Sequence, residues 1–381
     1  MGRGRRCANP GSGLRGAAGP STSSPPPATG PPLPRAKTLR TPAALADAGL
    51  IEPRRVAELE AVAARYAVAI TPALAELIQP LAGDDPIARQ FLPDPDELRP
   101  EPAETGDPTG DAAHSPLPGV VHRYPDRVLL KPVHACAVYC RFCFRREVVG
   151  PGGERALTPA ELAAALAYIA ARPEIWEVVV TGGDPLVMAP RKLGELLGRV
   201  AAIGHVRVIR CHSRVPIAAP ERIGPELVAA LRPDGVASWL VVHANHPREL
   251  TAAVVAALGR LVDGGIPVLS QSVLLRGVND DPEVLGALLR RLVEARVKPY
   301  YLHHLDHAAG TARFRTSIAE GQAIMRALRG RYSGLCQPSY VLDVPGGHGK
   351  VPIGPGYLET DADGTLVRDP DGAPHRYPPR P

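Results

Sequence analysis

Six short apolar runs recur along the chain, most of them followed by a helix-type pattern. This alternation restricts the fold more than any other feature. The runs are "RVLLKPV" (127–133), "IWEVVVT" (175–181), "HVRVIRC" (205–211), "ASWLVVH" (237–243), "IPVLSQSVLL" (266–275) and "KPYYLHHL" (298–305). Between them lie patterns such as "TPAELAAALAYIAARP" and "DPEVLGALLRRLVEAR", several opening on Thr, Asp or Pro and closing on Gly or Pro, as capped helices do. Strands joined through helices lie parallel, with right-handed crossovers. Polar residues cluster at or just past the C-terminal ends of these strands, as in "TGGDP", "CHSR", "HANHP" and "HHLD". A barrel gathers such ends at one mouth, whereas an open sheet spreads them along an edge. The expectation is an α/β fold, a partial (β/α)6 TIM-like barrel.

The rest of the chain divides around this barrel. Residues 1–40 carry seven basic residues, no acidic one and many prolines and glycines, and are expected to be disordered. Residues 41–118 read as a small N-terminal helical region followed by a Pro/Asp/Gly/Thr-rich linker too polar and broken to be core. The barrel occupies 119–350 and a short C-terminal tail 351–381. With 381 residues, 45% of them hydrophobic, the chain can bury one large core with small appendages. The net charge of +5 is modest, so no nucleic-acid partner is expected. No apolar run is long enough to cross a membrane. Six cysteines, half of them in one cluster, do not form a disulfide framework and suit a reducing compartment, the cytoplasm. Arginine outnumbers lysine 39 to 5, which suggests a GC-rich bacterial genome and makes each lysine informative.

Three stretches carry chemistry. "HACAVYCRFCFRR" (134–146) places Cys136, Cys140 and Cys143 within eight positions. A CxxC redox pair or an incomplete zinc site with His134 are the alternatives. Three thiolates from one loop suit a 4Fe–4S cluster in which the fourth iron stays open. "TGGDP" (181–185) offers glycines for close backbone approach and Asp184 as an acceptor, although a plain strand-to-helix turn explains it too. "VLDVPGGHGKVPIGPGY" (341–357) ends a glycine-rich loop on Lys350 but lacks a phosphate-loop pattern. It reads either as a solvated lysine or as a lysine tethering pyridoxal phosphate (PLP).

Together these motifs resemble the lysine 2,3-aminomutase family of radical S-adenosylmethionine (SAM) enzymes, including its relative, the elongation factor P β-lysylation protein. The similarity spans about Asp84 to Tyr357 and includes "PLPGVVHRYPDRVLL", "CRFCFRR", "TGGDPL", "HANHPREL", "QSVLLRGVND" and "DVPGGHGKVP". It implies a radical SAM barrel and a 1,2-amino migration converting L-lysine to β-lysine, with electrons from a flavodoxin or ferredoxin. By the same resemblance, Cys136, Cys140 and Cys143 would hold the cluster, and Gly182, Gly183, Asp184, His243 and Gln271 would line the SAM site. Lys350 would carry PLP and Arg123 and Arg127 would contact its phosphate. Arg145 would hold the substrate carboxylate, and Asp306 and Asp343 its distal ammonium.

Two departures matter. Long aminomutases carry cysteines that bind an intersubunit zinc, but here no cysteine follows Cys336 and Asp281 stands after "GVND", so no zinc is expected. His303 stands where the long enzymes have tyrosine. "CRFCFRR" and "YYLHHLDHAAG" look more like the β-lysylation protein, which would make (R)-β-lysine for translation-factor modification. A homo-oligomer is one expectation. The reading from another class is a non-catalytic iron–sulfur protein, which would have no use for Lys350, Arg145 and the aspartates together.

Overall fold

The computed structural model describes residues 37–79, 84–150, 152–361 and 364–378. The disorder expected for 1–40 therefore lies, for residues 1–36, outside the described residues. Residues 37–40 are described, and Leu39 exchanges two backbone hydrogen bonds of 2.9 Å with Ile70.

A nine-stranded sheet runs in sequence order through β1 (Val120–Tyr124), β2 (Arg127–Val133), β3 (Glu177–Gly182), β4 (Val208–Ser213), β5 (Ala237–His243), β6 (Val268–Val273), β7 (Lys298–His303), β8 (Ser339–Val344) and β9 (Gly349–Pro352). Strands β2 to β8 are mutually parallel, while β1 and β9 pair antiparallel at the two edges. The six expected strand–helix units, β2 to β7, are present, and a seventh parallel strand follows them. The seventh, "SYVLDV", is followed by no helix; it turns back through the glycine loop into β9, so it breaks the alternation from which strands are counted. The two edges come together through a side chain: the Tyr124 hydroxyl of β1 accepts from Lys350 N of β9 at 2.7 Å.

Crossover helices start where the sequence provides caps. Thr158 and Glu161 form a reciprocal capping box at Pro159–Ala170, and Asp281 accepts from Glu283 N and Val284 N to open Pro282–Glu294. The position where a zinc cysteine would stand is therefore a helix cap. Alternate apolar residues of the strands, such as Val178 and Val180, meet Leu193, Leu258 and Leu288 of the helices in one continuous core.

The N-terminal helices build a second core of Leu45, Leu59, Val62, Ile70, Leu74, Ile87 and Phe91, and Val138 of the cysteine loop packs into it. Backbone bonds from Tyr139 N to Ala69 O (3.2 Å) and Arg141 N to Gln90 O (2.9 Å) fix the same loop. The fully buried Glu97 accepts from Arg141 and Arg146, which flank Cys143. The helical region is thus the support that holds the cysteines over the barrel. Beyond β9, residues Leu358–Asp361, Gly364–Arg368 and Pro374–Tyr377 form a three-stranded antiparallel sheet. No helix among the described residues is long and apolar enough to cross a membrane.

Candidate active site

A cavity of about 780 Å³ occupies the barrel interior, and all fourteen residues singled out in the sequence line it. It runs the length of the strands. Gly182, His243 and Asp306 lie at or beyond their C-terminal ends and Gln271 two residues short of one, whereas Trp176, Glu177 and Arg127 lie at or near their N-terminal ends.

Cys136, Cys140 and Cys143 stand at the first of these ends, each partly exposed and, among the described residues, none in a disulfide. Burial pushes the Cys143 thiol up to about 11, and the neighbouring Cys140 adds to the shift. Burial likewise raises Cys136, reinforced by Asp184 and the other two cysteines. Three thiols that resist ionising together fit a polynuclear cation, whose charge offsets their mutual repulsion. Among the described residues no group of three His, Cys, Asp or Glu is arranged to hold a single metal ion. Arg214 donates to Cys140 Sγ at 3.1 Å and is tied to Glu249 (2.6 Å) and Gln90 (2.8 Å).

The glycine motif has a steric reason. A Cβ on Gly183 would lie 2.4 Å from Ala135 O, and one on Gly182, at φ +108°, would lie 2.6 Å from Val133 O. The end of β3 is thereby clamped to the root of the cysteine loop, with Asp184 N bonded to Ala135 O at 2.9 Å. The Asp184 carboxylate does not present itself to a ligand. It is 5% exposed and accepts from Ser213 Oγ (2.7 Å), Arg214 N (2.7 Å), Val215 N (3.1 Å) and Leu186 N (3.0 Å). Its part is to fix the end of β4.

The basic and acidic side chains form an alternating series. Arg145 donates Nε (3.2 Å) and Nη2 (2.9 Å) to Asp111 Oδ2, and Arg123 donates Nη2 to Asp111 Oδ1 at 3.0 Å. Arg123 Nη1 lies 3.7 Å from Asp343 Oδ1, and Asp343 is ion-paired with Lys350 Nζ. His303 Nδ1 sits 3.2 Å from the same Nζ. Asp306 joins Asp343 and Lys350 in the cavity; burial pushes its carboxyl up to about 7, with the charge of Asp343 contributing.

Arg127 stands apart from this series. It is the first residue of β2, pairs with Asp126 at 2.7 Å and lies over the Tyr124 ring, at the opposite end of the strands from the cysteines.

Several cavity residues had no sequence reading. Asp111 belongs to the polar linker. Glu177 and Arg210 form a two-point ion pair (2.7 and 3.0 Å) on neighbouring strands. His212 joins His243 and His303, both already singled out: among the described residues the Nε2 atoms of all three are buried with no hydrogen-bond partner, although the rings line the cavity. Burial pushes His243 down to about 3, so its ring is neutral near pH 7. Orphaned acceptors or donors at such positions fit an interior that receives polar ligands. Histidines directly following strand-end apolar runs were the available signal for His212.

Comparison with known proteins shows the family. The family model described as radical SAM superfamily matches residues 130–289, and that described as lysine-2,3-aminomutase matches 325–380. The L-lysine 2,3-aminomutase of Acetoanaerobium sticklandii is 43% identical over 76% of this chain and 70% of its own length. That of Clostridium subterminale is 39% identical over 81% and 74%. The glutamate 2,3-aminomutase of Clostridioides difficile is 36% identical over 79% and 70%. The chain belongs to the lysine 2,3-aminomutase family of radical SAM enzymes and is by that membership an isomerase. The family implies SAM and an iron–sulfur cluster.

Proposed function

We propose that this chain catalyses the 2,3-migration of the amino group of L-lysine to give β-lysine, using a 4Fe–4S cluster, SAM and PLP. The observation that carries the reading is the joint presence, around one cavity, of three thiols, Lys350, the Arg145 guanidinium and the carboxylates Asp306 and Asp343. Cys136, Cys140 and Cys143 would hold the cluster, beside a SAM site lined by Gly182, Gly183, His243 and Gln271, with the Asp184 carboxylate bracing the strand end behind it. Lys350 would tether PLP, with Arg123 and Arg127 toward its phosphate. Once bound, these groups supply a hydrogen-abstracting adenosyl radical and an electron-accepting ring for the migrating nitrogen.

The chain's own residues bind, orient and exclude water. Arg145 offers a planar pair of donors suited to a carboxylate. Asp306 and Asp343 attract a cation at the far end of the substrate. The second carboxylate of glutamate would meet them as a like charge, which disfavours the activity named for the Clostridioides difficile relative. Electrons would come from a small carrier such as flavodoxin or ferredoxin.

The test is anaerobic reconstitution with iron and sulfide, incubation with SAM, reductant, PLP and L-lysine or L-glutamate, and chiral analysis of products. β-Lysine is expected. Turnover of glutamate alone, or of neither amino acid, overturns the reading. The R enantiomer would favour a role in translation-factor modification, for which "CRFCFRR" and "YYLHHLDHAAG" speak.

A further inference from the structure

Asp111 comes from the linker between the N-terminal helices and β1, yet its carboxylate is only 13% exposed and bridges two arginines with different proposed ligands. Arg145 turns its Nε–Nη2 edge to Asp111, the edge suited to gripping a carboxylate at two points. Its Nη1 has only Thr181 Oγ1 at 3.5 Å. Arg123 meets the other Asp111 oxygen and also faces Asp343. Lys131 lies close enough to add to the positive field. Three cations around one carboxylate have the composition of an anion site, and here the anion is part of the chain.

A phosphate arriving at Arg123, or a carboxylate at Arg145, brings negative charge against Asp111 in a half-buried setting, where like charges repel strongly. We propose that Asp111 is a displaceable counter-ion, which keeps Arg123 and Arg145 paired before ligands arrive and yields their donor edges to the cofactor's phosphate and the substrate's carboxylate. The proposal rests on reading those two arginines as the anion-binding residues.

The linker can release this side chain without losing its place. The Asp107 carboxylate accepts from Asp111 N and Ala112 N at 2.9 Å each, and His114 Nε2 lies 3.1 Å from Gly347 O. Gly110, at φ +66°, packs so closely on the lysine loop that a Cβ there would lie 2.5 Å from Gly347 N.

The experiment is calorimetric titration of the full-length chain, with inorganic phosphate before PLP loading and with L-lysine after it, SAM being withheld so that nothing turns over. Asp111→Asn should bind both at least about tenfold more tightly than the parent. Equal or weaker binding overturns the proposal, since an aspartate that merely positions the arginines would give a loss. Asp111→Ser serves for the same titrations should the asparagine variant lack a cooperative unfolding transition. Arg145→Gln separates the two readings. If Arg145→Gln binds lysine as the parent does, Arg145 is not the carboxylate's seat, and the phosphate arm still judges Asp111 against Arg123. If Arg145→Gln loses lysine while Asp111→Asn gains nothing, the counter-ion proposal alone fails.

Discussion

Asp343 and Lys350 are directly opposed residues of the antiparallel pair β8–β9, and the lysine ammonium is ion-paired with that carboxylate. Burial acts to raise Asp343, but His303 and the charge of Lys350 outweigh it and hold the carboxyl well below its usual range. A depressed carboxylate contributes stability that is present above its unfolded value and lost as pH falls toward the folded one. Lys350→Ala should therefore cost about 1–3 kcal/mol near neutral pH, with Arg123 partly replacing the lost charge. The deficit should shrink below about pH 4, as Asp343 takes up a proton. Urea unfolding at both pH values measures this, and an undiminished deficit in acid would count against the ion pair as its source. The same variant should lose the near-visible absorbance that PLP gives with the parent.

Asp306 shifts the opposite way, to about 7, because it is buried beside Asp343. Near neutral pH a fraction of it is protonated, while a bound ammonium favours the ionised form. Lysine affinity of the PLP-loaded protein should therefore rise with pH through about 7, with proton release on binding below that point. Asp306→Asn should flatten the profile. Its raised folded value also means that stability is fully present below the unfolded carboxylate range and is lost as pH rises through 7. The asparagine variant should then be more stable than the parent above pH 7, by up to roughly 4 kcal/mol. A pH-independent lysine affinity in the parent would contradict this account of Asp306.

Strand periodicity and caps made six of the seven parallel strands readable, and the odd cysteine count marked its loop. What escaped reading was made by contacts distant in sequence. Asp111 sits in "DPTGDAA", where polarity argues for solvent exposure, and only the placing of Arg123 and Arg145 around it makes it interior. A carboxylate following a strand-end glycine pair points to a ligand, but the bonds from Ser213 Oγ and Arg214 N that engage Asp184 come from the end of the neighbouring strand, out of reach of its sequence context. Arg123 and Arg127 flank the turn between β1 and β2, where Tyr124 pairs with Arg127, yet of the two it is the Arg123 side chain that meets Asp111 and Asp343.

Arg214 Nη1, 3.1 Å from Cys140 Sγ, offers a hydrogen bond from a buried cation to one of the cluster cysteines. Donors to such sulfurs stabilise the more negative, reduced cluster and raise its potential. Arg214→Lys keeps a charge for Glu249 but cannot span Glu249, Gln90 and the sulfur together. The midpoint potential of the reconstituted cluster should become more negative by roughly 60 mV, a tenfold change for a one-electron couple. A redox titration followed by electron paramagnetic resonance reads the shift, and an unchanged potential in an iron-replete variant would remove this role. Arg214→Gln should instead destabilise the protein by about 3–5 kcal/mol, because Glu249 is left buried without its partner.

Phe91 tests whether the N-terminal helices support the cysteines or merely accompany them. Its ring is fully buried in the second core with Val138, and the Arg214 guanidinium stacks 4.7 Å from its centre. Truncation to alanine should cost about 3–5 kcal/mol through lost burial and a residual cavity. It also removes the surface on which both the cysteine loop and Arg214 rest, so reconstituted Phe91→Ala should hold less iron than its stability alone accounts for. Leu59→Ala, buried in the same core, provides the comparison. At a temperature where both variants are folded by circular dichroism, iron content should fall in Phe91→Ala and stay near the parent's in Leu59→Ala. If iron loss tracks stability equally in the two, the helical region stabilises the fold in general and has no particular hold on the cysteine loop.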